Sequence, residues 1–238
     1  MQGMVKISAL TLVAILLAMP AFAGTMSYDT QSAFLSALSS STTVNFDSNT
    51  AGVVVAGDGS STAVLDGITF SANVNQGAGF LEVVNADTTM FDTTSGKNSL
   101  GSDDPTGSFA ATDNITMTLG SPVTAFGLYV VGGFPAGTFT LDIGSGSAEN
   151  TDTTLMFSGP NGGGSANYIG ITSDTAFQTI TIGVTVPGTD PTASPYWNVD
   201  DVTYGTAKTN TPPPVPEPST LLLLGTGLAA VVSRLKKA

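Results

Sequence analysis

The 238-residue sequence contains neither cysteine nor histidine. Without cysteine there are no disulfides, and a chain of this length can bury a core large enough to fold without them, which fits a secreted protein. Without histidine, the chain lacks the commonest general base. Ser-His and Cys-His nucleophile pairs and ordinary zinc ligation are therefore excluded. These absences favour a protein that is not an enzyme.

Charged residues are also scarce, and cations are the rarest of them. They make up 10% of the chain, against about 25% in an average soluble protein. The segment from Gly24 to Glu217 holds two lysines and all 18 acidic residues, which gives it a formal charge of −16. Because binding to a phosphate backbone depends on Lys and Arg, we expect no nucleic-acid partner. So acidic a body is soluble and attracts hard cations such as Ca²⁺.

The first 23 residues are typical of a signal peptide. Lys6 is the positive n-region, residues 7–19 are mostly apolar, and Ala21 and Ala23 form the small-residue pattern that signal peptidase requires. We expect cleavage after Ala23, so that Gly24 begins the mature chain. A buried N-terminal helix or an uncleaved anchor is the alternative.

The C-terminal end combines a short apolar run with a basic tip. Residues 221–232 are apolar apart from Thr226, and Arg234, Lys236 and Lys237 follow. As a helix, these roughly 12 residues cover ~18 Å of a hydrocarbon core that is ~30 Å thick. The run predicts a short transmembrane helix with its basic tip in the cytoplasm. Such a helix would tether an exported body to the inner membrane.

Directly before this run stand Pro216, Glu217 and Pro218. Together with the apolar run and the basic tip, they resemble the PEP-CTERM sorting signal of Gram-negative bacteria. The resemblance implies that exosortase, a membrane-embedded cysteine protease, cleaves the tail near this tripeptide. The protein would then be released or transferred to the outer surface. A weak membrane anchor that is not processed is the alternative.

The prolines that precede the sorting signal set the expected domain boundaries. Five prolines between residues 212 and 218 indicate an extended polyproline spacer. The expected organisation is a signal peptide over residues 1–23, a folded domain over 24–207, a Pro-rich linker over 208–214 and the sorting signal over 215–238.

The body between these ends has the pattern of an all-β domain. Residues 28–38 predict one short helix, with Asp29 or Thr30 as N-cap and with Phe34, Leu35 and Leu38 on one face. Alternating runs then predict strands over residues 43–47, 68–74, 114–119, 138–143 and 179–186. The more uniformly apolar run over residues 123–131 predicts a central strand covered on both faces. Many short strands separated by glycine-rich turns are typical of an antiparallel β-sandwich, and a jelly roll is the expected topology.

The last expected strand, PYWNVDDVTYG, changes phase at Asp200 and Asp201. Trp197 and Val199 occupy one parity, and Val202 and Tyr204 occupy the other, so a β-bulge is needed to keep all four inward. A bulge would place the two carboxylates side by side. With Asp47 from the first alternating run they are candidate Ca²⁺ ligands, since calcium takes about six to eight oxygens. The alternative is that one aspartate caps a backbone amide and the other faces water.

Tyr196 and Trp197 are candidates for stacking against a sugar ring. Alternation along a strand lets only one of them face the core, and Trp197 is the one expected to fill it. A glycosidase would need two carboxylates about 5 Å or about 6.5–9.5 Å apart. No glutamate lies in a motif that would raise its pKa for that role, and the folded domain has no arginine to orient a substrate, so no catalytic residue is assigned.

These observations predict an exported, non-enzymatic cell-surface or extracellular-matrix protein. The resemblance to PEP-CTERM proteins implies a role in exopolysaccharide-rich envelopes, biofilm or floc. A carbohydrate-binding, lectin-like module is the alternative, followed by a secreted polysaccharide hydrolase. The expected partners are signal peptidase and exosortase as processing enzymes, the inner membrane transiently, and exopolysaccharide. No cofactor is expected apart from the candidate calcium.

Overall fold

The computed structural model describes residues 24–56, 62–73, 80–87, 89, 92–103, 107–110, 113–132, 138–150, 155–157, 164–185 and 196–209. The expected signal peptide, most of the linker and the sorting signal lie outside these ranges, and with them Ala21, Ala23, Pro216, Glu217 and Pro218. The chain divides into two compact units, Met1–Ala207 and Lys208–Ala238. Every helix and strand described below belongs to the first unit.

One helix and 13 strands lie within the described ranges. The helix, α1, spans Gln31–Ser36. In chain order the strands are β1 (Thr25–Tyr28), β2 (Leu38–Val44), β3 (Val54–Ala56), β4 (Ala63–Leu65), β5 (Ile68–Asn73), β6 (Leu81–Asn85), β7 (Asn98–Ser102), β8 (Asn114–Gly132), β9 (Thr138–Asp142), β10 (Ser147–Asn150), β11 (Leu155–Phe157), β12 (Gly164–Thr185) and β13 (Trp197–Ala207).

The strands form one antiparallel sheet, which confirms the all-β antiparallel fold class. The main path runs β10-β9-β12-β8-β13-β7-β6-β3. Off this path, β1 and β11 pair with β12, β2 pairs with β13, and β5 pairs with β4 and β8. The path ends at β10 on one side and at β3 on the other, so the sheet is open and a sandwich can form only by folding of the sheet over itself.

The long strands β8 and β12 bring the two parts of the sheet together. Residues 114–119 of β8 pair with β5 and with the C-terminal half of β12, whereas residues 125–132 pair with β13 and with the N-terminal half of β12. A register shift between Thr172 and Phe177 marks the change of neighbours. Side chains from both halves of β8, Ile115 and Leu128 among them, lie in one hydrophobic core. The sheet therefore folds around that core, as expected of a sandwich.

The apolar segment 123–131 is covered on both faces, as its uniform composition predicts. One set of its side chains enters the main core, and the other set joins a second, smaller cluster. The first set is Phe126, Leu128 and Val130, and the second is Ala125, Tyr129 and Val131. A strand buried on both sides needs no polar alternation.

The predicted N-terminal helix is present but shorter than expected. Thr30 is at the N-cap position without a side-chain capping bond. Phe34 is fully buried in the second cluster. Leu35, predicted on the same face, is 40% exposed, and Leu38 is buried as the first residue of β2. With about six residues, the helix makes fewer than two turns, too few to present a long apolar stripe.

No helix within the described ranges is long and apolar enough to cross a membrane. The C-terminal apolar run, for which the short transmembrane helix is predicted, lies outside those ranges.

Candidate functional site

A β-bulge forms in β13 where the sequence phase predicts it. Asp200 pairs with Tyr129 and Thr203 pairs with Gly127, so two residues of β13 stand opposite one residue of β8. Asp201 has a left-handed φ of 48°, which is uncommon for a residue other than glycine. The extra residue keeps Trp197, Val199 and Val202 fully buried, and Tyr204 is partly buried against the same core. The bulge thus preserves the core and turns two carboxylates toward the loop that precedes β7.

The carboxylate of Asp200 is buried and accepts four hydrogen bonds. Its Oδ2 accepts from the Thr94 N–H at 2.8 Å, from the Thr94 hydroxyl at 2.6 Å and from the Ser95 N–H at 3.1 Å. Its Oδ1 accepts from the Asp201 N–H at 2.8 Å. Burial, and after it the charge of Asp201, raise the pKa of Asp200 to about 7, although these hydrogen bonds act to lower it. Removal from water outweighs the donors.

Asp201 binds the hydroxyl groups of the same loop. Its Oδ2 lies 2.9 Å from Thr94 Oγ1 and its Oδ1 lies 2.8 Å from Ser95 Oγ. Each hydroxyl has a single proton, and Thr94 Oγ1 also contacts Asp200. Thr94 can therefore donate to only one of the two carboxylates at a time. The Ser95 hydroxyl likewise lies 3.4 Å from Asp47 Oδ2. The two hydroxyls therefore make four contacts with carboxylate oxygens but have only two protons, and a proton on Asp200 would supply a further donor.

Asp47 holds the C-terminal part of this loop. Its Oδ1 accepts from the Lys97 N–H at 2.7 Å and from the Asn98 N–H at 3.1 Å. Gly96 has a φ of 44°, and a Cβ at this position would overlap the Asp47 carboxylate. Only glycine meets both requirements without strain.

Asp47, Asp200 and Asp201, termed the carboxylate cluster, therefore converge on one segment, residues 94–98, termed the bound loop. The sequence predicted the three acids as a group but missed Thr94, Ser95 and Gly96. The run TTSG, with three hydroxyl-bearing residues before a glycine, is the signal that could have identified the loop.

The cluster is organised around protein donors. The part of the chain that the structure describes contains no group of three or more His, Cys, Asp or Glu side chains arranged to hold a metal ion. The oxygens of the cluster accept from main-chain N–H groups and hydroxyls instead. Calcium binding by Asp47, Asp200 and Asp201 stays a prediction. The hydrogen bonds fix the bound loop to the segment that follows β2 and to the bulge of β13.

Tyr129 and Tyr168 lie beside the carboxylate cluster and belong to the second, smaller hydrophobic cluster. Burial, followed by the charge of Asp201, raises the pKa of Tyr129. The pKa of Tyr168 is also raised, by burial first and then by Tyr129 and Asp201. The two rings pack edge to face with centroids 5.0 Å apart. Both phenols are therefore neutral at physiological pH and add no charge to the cluster.

The proposed sugar-stacking residues take different positions. Trp197 is fully buried, donates from Nε1 to the Ala110 carbonyl at 3.0 Å, and packs against Phe109 and Phe139 with centroid distances of 4.7 and 5.9 Å. Trp197 therefore fills the core, as the alternation along the strand predicts. Tyr196 precedes β13 and is partly exposed. A sugar contact at Tyr196 stays a prediction.

Comparison with known proteins gives one match. Residues 214–237 match the family described as the PEP-CTERM protein-sorting motif. Searches of curated proteins and of solved structures found no match for the chain. The matched segment coincides with the predicted sorting signal and confirms the resemblance that Pro216, Glu217 and Pro218 indicate. The chain carries a PEP-CTERM sorting motif, which marks it as an exported protein, made as a membrane-anchored precursor and processed by exosortase.

Proposed function

We propose that the mature body is a non-enzymatic component of the cell surface or extracellular matrix, held among exopolysaccharide. The observation that carries this proposal is the sorting motif at residues 214–237, joined to an antiparallel sheet that folds around its own core. Asp200, whose pKa is raised to about 7, fits a structural role, since it is fully buried and bonds the bound loop. A catalytic acid of that kind would have to reach substrate.

The test is fractionation of cells that contain or lack exosortase. With the enzyme, we expect a product that has lost the tail beyond Pro218 and that is recovered with the outer surface or the exopolysaccharide matrix. Without it, the full-length tail should remain with the inner membrane. A strain that makes no exopolysaccharide should release the processed protein into the medium. Sorting that does not depend on exosortase, or a processed protein that never associates with matrix, would contradict the proposal.

Carbohydrate binding is the second candidate, and a face of hydroxyl groups favours it. On β5, β8 and β12, outward side chains alternate with buried residues such as Met117 and Ile180. These side chains form two rows across the strands, Thr69–Thr118–Thr179 and Ser71–Thr116–Thr181. Neighbouring strands lie about 4.8 Å apart, and the hydroxyl oxygens of Thr116 and Thr181 are 3.1 Å apart. The second row continues to Asp142 on β9, which pairs with Thr181 and is exposed. A surface rich in hydroxyl donors and acceptors, with a carboxylate beside them, suits a neutral polysaccharide better than an anionic ligand.

The second candidate is tested by removing hydroxyls without changing side-chain shape. A chain with Thr118→Val and Thr179→Val should lose retention on neutral polysaccharide, since valine has no donor. Thr43→Val is the matched control, because Thr43 also pairs with a threonine across strands, Thr203, at 2.9 Å, outside this face. Tyr196→Ala tests the other predicted contact. Unchanged retention in both variants would remove lectin-like binding through these residues.

A further inference from the structure

The N-terminal end of the described body is held by one carboxylate, that of Asp174. The Gly24 N–H donates to Asp174 Oδ2 at 3.1 Å, and the Asp174 N–H donates to the Gly24 carbonyl at 3.0 Å. Strand β1 follows at once and pairs with β12, beginning with Thr25 opposite Ser173. The sheet therefore begins one residue after the expected signal-peptide cleavage point.

Strand β1 buries little apolar surface of its own. Thr25, Met26 and Ser27 are exposed, and only Tyr28 is partly buried. The Tyr28 hydroxyl shares a hydrogen bond with that of Thr172 at 3.3 Å, and its ring packs edge to face on Phe34. Terminal strands fray unless they are tied down. The contact between Gly24 and Asp174 closes the outer end of the strand, opposite to the end that Tyr28 holds.

We propose that Asp174 receives the new N-terminus that removal of the signal peptide creates at Gly24. This inference rests on the proposed export and on cleavage after Ala23. Hydrolysis of the Ala23–Gly24 amide consumes one water, leaves a carboxylate on Ala23 and gives Gly24 a protonated amine. The neutral N–H contact then becomes a contact between an ammonium and a carboxylate. Charge-assisted hydrogen bonds of this kind are shorter and stronger than neutral ones.

The residue at the cleavage point and the charge of the body both suit this contact. A Cβ on residue 24 would lie 3.0 Å from Asp174 Oδ2, closer than ordinary van der Waals contact, so glycine leaves the nitrogen room to approach. Between Gly24 and Glu217 the sequence has only Lys97 and Lys208 as cations. The new ammonium therefore enters a strongly negative surrounding, where it is attracted and not repelled. Processing would strengthen the attachment of β1 without any new residue.

The experiment compares four purified chains, all ending at Ala238 and kept in detergent. Two begin at Gly24, with and without Asp174→Asn, and two begin at Ala23, with and without the same substitution. Asparagine keeps an oxygen acceptor but removes the charge. The readout is the acylation rate of the N-terminal amine by a succinimidyl ester, followed by peptide mass spectrometry with Lys97 as internal reference. A matched control, Asp66→Asn, removes another exposed carboxylate, in the turn between β4 and β5, and should change no rate.

In the chains that begin at Gly24, Asp174→Asn should accelerate acylation about twofold to fivefold, the range expected for an exposed ion pair. It should also lower Tm by roughly 1–3 °C. In the chains that begin at Ala23 both effects should vanish, because the ammonium is one residue away. Equal rates in the first pair, or an equal effect in both pairs, would overturn the inference, since Asp174 would then serve only a neutral N–H. So would a native N-terminal peptide that begins elsewhere than at Gly24.

These outcomes are separate from those that test the proposed function. Each chain is made with its N-terminus already defined, so exosortase plays no part in the measurement. Sorting that is independent of exosortase would contradict the proposed function and would not affect the acylation result. Conversely, unaltered acylation in the Asp174 variant would leave surface delivery unaffected.

Discussion

Asp200 and Asp174 both hold a segment of chain against the sheet through a carboxylate oxygen, but their surroundings differ. Asp200 is fully buried, bonds Thr94, Ser95 and Asp201, and has a pKa raised to about 7. Asp174 is exposed and accepts from Gly24. Water can replace a lost partner at the surface, whereas a buried donor that loses its acceptor remains unpaired. Burial, more than charge, therefore decides how much each of these two aspartates contributes to stability.

The largest expected difference is between alanine substitutions at these two positions. Asp200→Ala leaves the Thr94 and Ser95 N–H groups without their acceptor, and should lower the free energy of unfolding by about 3 kcal/mol. Asp174→Ala should cost less than about 1 kcal/mol. Urea denaturation of both variants checks this order. Similar losses would mean that the bound loop re-forms its hydrogen bonds with water.

The pH dependence of stability sharpens the same comparison. The folded pKa of Asp200, about 7, lies above its ordinary value of 3.8, so the folded state binds a proton that the unfolded state releases in this interval. Its contribution to stability is therefore complete below pH 3.8 and is lost as pH rises through about 7. We expect the free energy of unfolding to fall between about pH 4 and pH 7, and Asp200→Asn to flatten that fall.

Glu82 is the control for this measurement. Burial, and after it the charge of Asp103, raise its pKa as well, so it contributes with the same sign. Glu82→Gln should remove a smaller part of the pH dependence than Asp200→Asn does. Stability that rises with pH over this interval, or an Asp200→Asn variant with an unchanged profile, would contradict the assignment.

Two glycines separate backbone strain from contact with the cluster. Gly96 and Gly52 both have positive φ, 44° and 85°, but a Cβ on Gly96 would overlap the Asp47 carboxylate, whereas a Cβ on Gly52 meets nothing within 4 Å. Gly52→Ala should cost about 1 kcal/mol through strain alone. Gly96→Ala should cost about 1–2 kcal/mol more, because Asp47 must release the Lys97 and Asn98 N–H groups. Thermal unfolding of the two variants in parallel gives the difference, and equal losses would show that Asp47 moves without penalty.

The sequence predicts those parts of the fold that depend on periodicity. Alternation gave the inward positions Ile115, Met117 and Leu119, and the phase change gave the bulge at Asp200 and Asp201. It did not show that the runs at residues 114–119 and 123–131 are one strand, β8, because alternation is the same whether a turn or a bend lies between two runs. The predicted helix was too long for a similar reason. Leu38 fits the apolar face of a helix but pairs in β2.

The candidate site was half predictable. Acidic residues at a bulge are visible in the sequence, and Asp47 was grouped with them. Their partners were not visible, because Thr94 and Ser95 are about a hundred residues from β13, and such a pairing follows only from the tertiary fold. Small hydroxyl residues occur throughout this chain, so the run TTSG stands out only once the loop is seen beside the carboxylates.

The smallest expected effect is at Lys97, whose two polar ends have separate roles. Its main-chain N–H donates to Asp47, whereas its side-chain Nζ pairs with Asp87 at 3.1 Å with both side chains more than 60% exposed. An exposed pair contributes little, so Lys97→Ala should change the free energy of unfolding by no more than about 0.5 kcal/mol. The substitution keeps the N–H that Asp47 binds, and the bound loop should stay in place.

Because salt screens surface pairs, the small difference should disappear in about 1 M NaCl, while the loss caused by Asp200→Ala should persist. A large effect of Lys97→Ala that survives high salt would mean that this side chain helps to neutralise the carboxylate cluster, and that the cluster is less isolated from solvent charge than its burial indicates.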